Sequence, residues 1–116
     1  MRYMLLIYGD DEMYGPPAGT PENAALLEEY FALGRRLTAS GIDHTSDEID
    51  RPATGKIVRV RDGAALVSDG PFIETKEQLG GFYIVDVPTL EDAIAWAEQI
   101  PGARTGAIEV RPIIEH

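Results

Sequence analysis

The chain has no cysteine. That removes disulfides, thiolate zinc sites and cysteine nucleophiles together, and it fits a reducing cytoplasm. Positive charge is scarce: 10 Lys and Arg stand against 20 Asp and Glu, for a net charge of −10. Such a chain repels phosphate backbones unless its few cations gather in one patch. Arg35-Arg36 and Arg59/Arg61 are short clusters diluted by acids, so nucleic acid is not an expected partner. The acidity serves solubility instead. Long apolar runs are also missing. Nothing approaches the roughly 20 residues that span a bilayer. The apolar stretch in "MRYMLLIYGDD" is too short for a signal sequence and reads as a buried strand. No GxGxxG, GxxxxGK[ST], GxSxG or HExxH pattern occurs, so no nucleotide, cofactor or metal is implied.

What remains is the composition of a single soluble domain. The 116 residues are 44% hydrophobic and 26% charged, a globular balance. Residues 1–116 are read as one unit, with room for one core.

The pattern along the chain is clear. Tyr3 to Tyr8 is apolar on both alternate sets, which predicts a strand covered on both faces. "GDDEMYGPPAG" is rich in turn residues and reads as a loop. In "TPENAALLEEYFALGRRLTASG", Thr20 can cap, Pro21 suits the first helical position, and Gly41 stops the helix. Leu26, Leu27, Tyr30, Phe31, Gly34 and Leu37 form its expected apolar stripe. A weak polar strand follows around Ile42 to Ile49. "KIVRVRDGAALVS" shows two runs joined by Asp62-Gly63, where both central positions accept positive φ, so a hairpin is expected. "GFYIVDV", Gly81 to Val87, is another strand with two apolar faces. Thr89 opens a second helix, with Leu90, Ala93, Ile94, Ala97 and Ile100 as its stripe. Pro101-Gly102 ends it, and "GAIEVRPII" closes the chain as a strand.

The order β-α-β-β-β-α-β points to an α+β fold: a ferredoxin-like split βαβ unit, βαββ(β)αβ, with an added strand. Two helices cover one sheet face. The strands at 3–8 and 81–87 are apolar on the other face too. The simplest cover is the same face of a second copy, which predicts a homodimer with sheets packed face to face.

One segment carries unusual chemistry: "SDGPFIETKEQLGG", Ser68 to Gly81. Asp69-Gly70-Pro71 turns the chain, and Phe72 is expected to anchor on the core. Thr75 and Gln78 resemble the start of a helical turn that Gly80-Gly81 ends. Asp69, Glu74, Lys76 and Glu77 would then be held at a strand end. Asp69 is the candidate acid or base if its carboxyl is partly buried. Glu74, Lys76, Glu77, Arg111 and Tyr8 would orient a polar substrate. The plainer reading has Asp69 bonding its own turn and the other charges solvated. His44 sits with Ser46 and Glu48 on the weakest strand, where a surface position is expected, and His116 is terminal. Two histidines so far apart carry no metal signature.

"YMLLIYGDD", "VRDG", "VSDGPFIETKEQLGGFYIVDV", "LEDAIAWA" and "GAIEVRP" resemble, in order and over nearly the whole chain, the YCII-related proteins of the DGPF type. The central match is Asp69-Gly70-Pro71-Phe72 followed by Glu74-Thr75-Lys76-Glu77. The resemblance implies a bacterial protein of obscure function, built as a dimeric α+β barrel. It implies a cofactor-free small-molecule enzyme or ligand-binding protein with a cleft at the DGPF turn. The alternative is a non-catalytic partner in an extracytoplasmic-function sigma-factor pathway, since such proteins tend to occur beside those factors. Relatives are thought to use a histidine of the first helix with an aspartate. This chain has no histidine in that helix, whereas Asp69 matches the motif.

Overall fold

Alternation of Tyr3, Leu5 and Ile7 with Met4, Leu6 and Tyr8 makes the first strand two-sided, and a computed structural model describing all 116 residues places it at the centre of a sheet. This strand, β1 (Arg2–Gly9), is followed by a 3-10 turn at Asp11–Tyr14 and helix α1 (Pro21–Ala39). Then come β2 (His44–Glu48), β3 (Lys56–Arg61), β4 (Ala64–Asp69), β5 (Gln78–Asp86), α2 (Leu90–Ala97) and β6 (Ala107–Pro112). The fold is α+β, with one strand more than the order read from the sequence. The extra count comes from the hairpin, whose two strands form a sheet of their own, β3-β4, beside a four-stranded sheet in the order β2-β5-β1-β6. All pairings are antiparallel.

Local signals explain most boundaries. The Thr20 hydroxyl accepts from the Asn23 N–H at 3.2 Å, and the Thr89 hydroxyl accepts from the Asp92 N–H at 3.1 Å; both satisfy first-turn donors that a helix leaves free. Gly41 takes φ +72° just beyond α1. Asp62 and Gly63 take φ 51° and 76°, the pair of positive values that a two-residue hairpin turn needs.

The core lies on one side of the four-stranded sheet. Tyr3, Leu5 and Ile7 of β1 and Tyr83 and Val85 of β5 meet Leu33 and Leu37 of α1, Ala93 and Ala97 of α2, and Ile100 just beyond α2. Met4, Leu6, Tyr8, Phe82 and Ile84 point to the opposite face and are half-buried. No part of the chain forms a layer there, and the molecule measures 49 × 43 × 19 Å. Its radius of gyration is 16.2 Å, above the roughly 13 Å of a compact chain this long. No helix is long and apolar enough to cross a membrane.

Four expectations are corrected. The α1 stripe is rotated: Leu33 and Leu37 are its buried residues, while Leu27 and Phe31 are exposed. In α2, Ala93 and Ala97 are buried but Leu90 and Ile94 are exposed. Phe72 is no core anchor; it is 67% exposed, with the Arg59 guanidinium 5.4 Å from its ring centroid. The segment between β4 and β5 contains no helical turn. There the Thr75 hydroxyl donates to the Glu77 carbonyl, and the Gln78 amide donates to the carbonyls of Ile73 and Thr75. Side chains have taken over the local backbone acceptors. Gly80 and Gly81 belong to β5, at a register shift where Ile7 faces Gly81 and Tyr8 faces Leu79. That is the two-against-one count of a bulge, with Gly80 as the extra residue.

Candidate functional site

The loop 10–20 is held down at several points. The Asp10 carboxylate accepts from the Glu12 N–H at 3.0 Å, capping the 3-10 turn. The Thr20 hydroxyl donates to the Pro17 carbonyl at 2.8 Å. The Asn23 amide donates to the Pro16 carbonyl at 3.1 Å, tying the loop to the first turn of α1. Gly15 has φ +76°, and a Cβ there would meet Leu26 at 2.6 Å, so the loop presses on the helix where only glycine fits.

Between this loop, α1 and the β2 edge of the sheet lies an open-sided cavity of about 860 Å³. Tyr14, Tyr30, Phe31 and Tyr83 give it an aromatic wall, and Phe82, whose side chain belongs to the far sheet face, borders it from β5. Its charged lining residues are Asp47, Glu48, Asp50 and Arg51, three carboxylates against one guanidinium. Arg51 lies over the Tyr14 ring at 4.4 Å from the centroid, which joins the segment after β2 to the loop.

The Tyr14 hydroxyl is buried and has no hydrogen-bond partner in the protein. Its pKa is raised, first by burial; Arg51 pulls it down, and Asp11, Asp50 and Glu48 push it up. Burial also raises Tyr30, with the Gly102 backbone opposing the shift. Tyr83 is pushed up to about 12 by burial and then by neighbouring Tyr30. All three phenols therefore stay neutral at ordinary pH, as hydroxyls that can donate. No histidine, lysine or cysteine lines the cavity.

A match to known proteins covers the same span as the fold. The family model of the YCII-related domain matches residues 1–116. This chain belongs to the YCII-related family. An uncharacterised protein of Rhizobium meliloti (strain 1021) is 31% identical to it over 115 residues, covering 97% of this chain and 92% of the relative.

In this YCII-related protein the residues singled out from the sequence are spread apart. Asp69 ends β4, its carboxylate ion-paired with Lys56 Nζ across the hairpin and 80% exposed. Glu74, Lys76 and Glu77 are exposed on the irregular segment that follows. Arg111 lies on β6 opposite Met4, and Tyr8 lies on β1 opposite Ala107 and Leu79; these two share the sheet face away from the helices. None of the six lines the aromatic cavity. Gly70 of the DGPF motif has a packing reason. Its N–H donates to the Gly55 carbonyl at 2.9 Å, and a Cβ there would meet the Pro52 carbonyl oxygen at 2.7 Å. His44 is half-buried on β2, its Nδ1 2.9 Å from the Ile42 carbonyl oxygen.

Tyr14, Arg51, Asp47, Glu48 and Asp50 were not singled out from the sequence, and Tyr30 and Phe31 were read as core. One signal was available. Tyr30 and Phe31 are adjacent aromatics on an amphipathic helix, about 100° apart, so both cannot be centred on one narrow stripe.

Proposed function

We propose that this YCII-related protein binds a flat, largely apolar small molecule with a cationic head in the cavity beside Tyr14. The observation that carries this is the buried, unpartnered Tyr14 hydroxyl on a wall of aromatic rings. A buried hydroxyl without a partner is destabilising by about 1–3 kcal/mol. A cationic head that donates a hydrogen bond to the hydroxyl oxygen would remove that penalty. The charge of the head follows from Asp47, Glu48 and Asp50 outnumbering Arg51. Aromatic faces beside carboxylates are the chemistry of cation recognition. The lining phenols are raised by burial, so they serve as neutral hydrogen-bonding hydroxyls and not as bases.

A thermal-shift or NMR screen of arylalkylamines, which are protonated at neutral pH, against matched aromatic carboxylates tests this. Amines should stabilise the wild type, and Tyr14→Phe should weaken them. A preference for carboxylates would overturn the proposal.

The assembly proposed for it is the homodimeric α+β barrel. The order β2-β5-β1-β6, with both helices on one face, supports reading the protomer as a ferredoxin-like sheet with the β3–β4 hairpin inserted. Pairing two copies through Met4, Leu6, Tyr8, Phe82 and Ile84 would finish burying them, and full burial of such a side chain is worth roughly 1.5–3 kcal/mol. Sedimentation as a stable monomer at micromolar concentration would overturn the dimer.

A second reading is a non-catalytic interaction protein of an extracytoplasmic-function sigma-factor pathway. The openness of the DGPF segment favours it: Asp69, Phe72 and Ile73 are all exposed. Titrating the purified sigma factor against wild type and Phe72→Ala/Ile73→Ala tests it, since binding lost in the variant supports this role.

A further inference from the structure

The β3–β4 hairpin has two different faces. In its register Lys56 faces Asp69, Val58 faces Val67 and Val60 faces Ala65. Directly opposed residues share a face, and alternate residues return to it. Val58, Val60, Ala65 and Val67 therefore form one continuous apolar face. That face is bare: Val58 and Val67 are each 64% exposed and Val60 is 62% exposed. Within the whole hairpin only Ile57 is not exposed. A lone two-stranded ribbon is marginally stable in water at best, and bare apolar strands invite unwanted pairing.

We infer that this hairpin is an arm that packs its valine face onto a second copy of the chain and receives the same contact in return. The inference rests on the dimer proposed above and adds a second contact to it. Three observations select a second copy as the occupant. The first is area. A specific interface buries roughly 800 Å² per partner, more than four small side chains supply, so the arm must extend a larger apolar surface. This chain has such a surface in the sheet face of Met4, Leu6, Phe82 and Ile84.

The second observation is charge. The hairpin holds Lys56, Arg59 and Arg61 against Asp62 and Asp69, a net of +1 in a chain of −10, so the remainder carries −11. Two such bodies repel each other, whereas the arm, its valine face neutral and Arg59 and Arg61 on the other face, is drawn toward its partner's body at long range. The third is symmetry. A twofold axis that pairs the two open faces brings each arm to the same place on its partner, so the arm contact is given and received alike.

Sedimentation across micromolar concentrations, with hydrogen exchange of the full chain, tests the arm. The wild type should dimerise, and amides of residues 57–68 should be protected in the dimer but not on dilution to the monomer. Val58→Lys/Val67→Lys should raise the dimer dissociation constant roughly tenfold or more while the circular dichroism stays native. Val58→Ile/Val67→Ile should dimerise as the wild type does. A wild-type dimer whose hairpin amides exchange freely, or a lysine variant that dimerises undiminished, would overturn the arm while leaving the sheet-to-sheet dimer standing. A monomeric wild type would overturn both.

Discussion

The Arg51 guanidinium sits 4.4 Å from the centre of the Tyr14 ring, so one contact closes the gap between the loop before α1 and the segment after β2. It also sets the charge felt by a buried phenol. Arg51 favours the ionised form of Tyr14 and so holds down a pKa that burial has raised. Replacing it with alanine should push the Tyr14 pKa higher still. Ultraviolet titration of Arg51→Ala, with Tyr14→Phe as the reference, reads this directly; a downward shift would refute the contact.

Removing the Tyr14 hydroxyl should separate folding from binding. In the free protein the hydroxyl has no partner, so Tyr14→Phe should leave stability unchanged or raise it by up to about 1 kcal/mol. The same variant should bind arylalkylamines more weakly. Urea unfolding and calorimetric titration together check the pair. A strongly destabilised variant would mean that the hydroxyl is bonded in the folded protein.

Alkaline pH should unfold the protein through its buried phenols. Tyr83 has a folded pKa of about 12 against 10.0 for the free side chain. Below pH 10 it is neutral in both states and contributes no pH dependence. Between about 10 and 12 the unfolded chain ionises first and binds fewer protons than the folded one, so stability falls as pH rises. The slope is at most about 1.4 kcal/mol per pH unit for one such group. Tyr30 is raised for the same first cause and acts in the same direction. Urea midpoints from pH 9 to 12 should fall less steeply for Tyr83→Phe than for the wild type.

Two glycine-to-alanine changes should have opposite signs. At Gly70 the new methyl would collide with the Pro52 carbonyl oxygen, opening the base of the hairpin, a loss of about 1–3 kcal/mol. At Gly34, inside α1, a Cβ meets nothing within 4 Å, so alanine should add about 0.5–1 kcal/mol through helix propensity. Denaturant midpoints of the two variants decide it.

Core and cavity should respond differently to truncation. Leu37 is 1% exposed, and Leu37→Ala should lose about 2–5 kcal/mol. Phe31 is 60% exposed, so Phe31→Ala should lose far less stability yet weaken ligand binding. Asp69→Asn should leave binding in the aromatic cavity unaltered. It breaks only an exposed pair with Lys56, worth about 0–1 kcal/mol.

The signals that read correctly from the sequence are those contained within a few residues. Thr20 and Thr89 cap because a hydroxyl reaches an N–H three residues on, and Asp62-Gly63 turns because both accept positive φ. Ile108 and Val110 alternate inward on β6 while Glu109 and Arg111 face out. Family membership was legible too, because "DGPF" and its flanks are a long contiguous match. The misreadings share another cause. Thr75 and Gln78 have the residue types of a helix start, but their side chains bond the carbonyls of Ile73, Thr75 and Glu77, and no helix forms. Phe72 is apolar, yet the turn carries it outward onto Arg59.

The sequence alone determined the six strand segments, the starts and caps of both helices, the hairpin turn and the two-sided character of β1 and β5, because each is set by local sterics and periodicity. Tertiary structure decided which face of α1 meets the sheet, that β3 and β4 leave it, and where the cavity lies. The cavity is made by residues 13–18, 23–31, 46–51 and 80–83, segments that meet only when α1 docks over the β2 edge. No local rule links Tyr14 to Arg51 across 36 intervening positions; packing does.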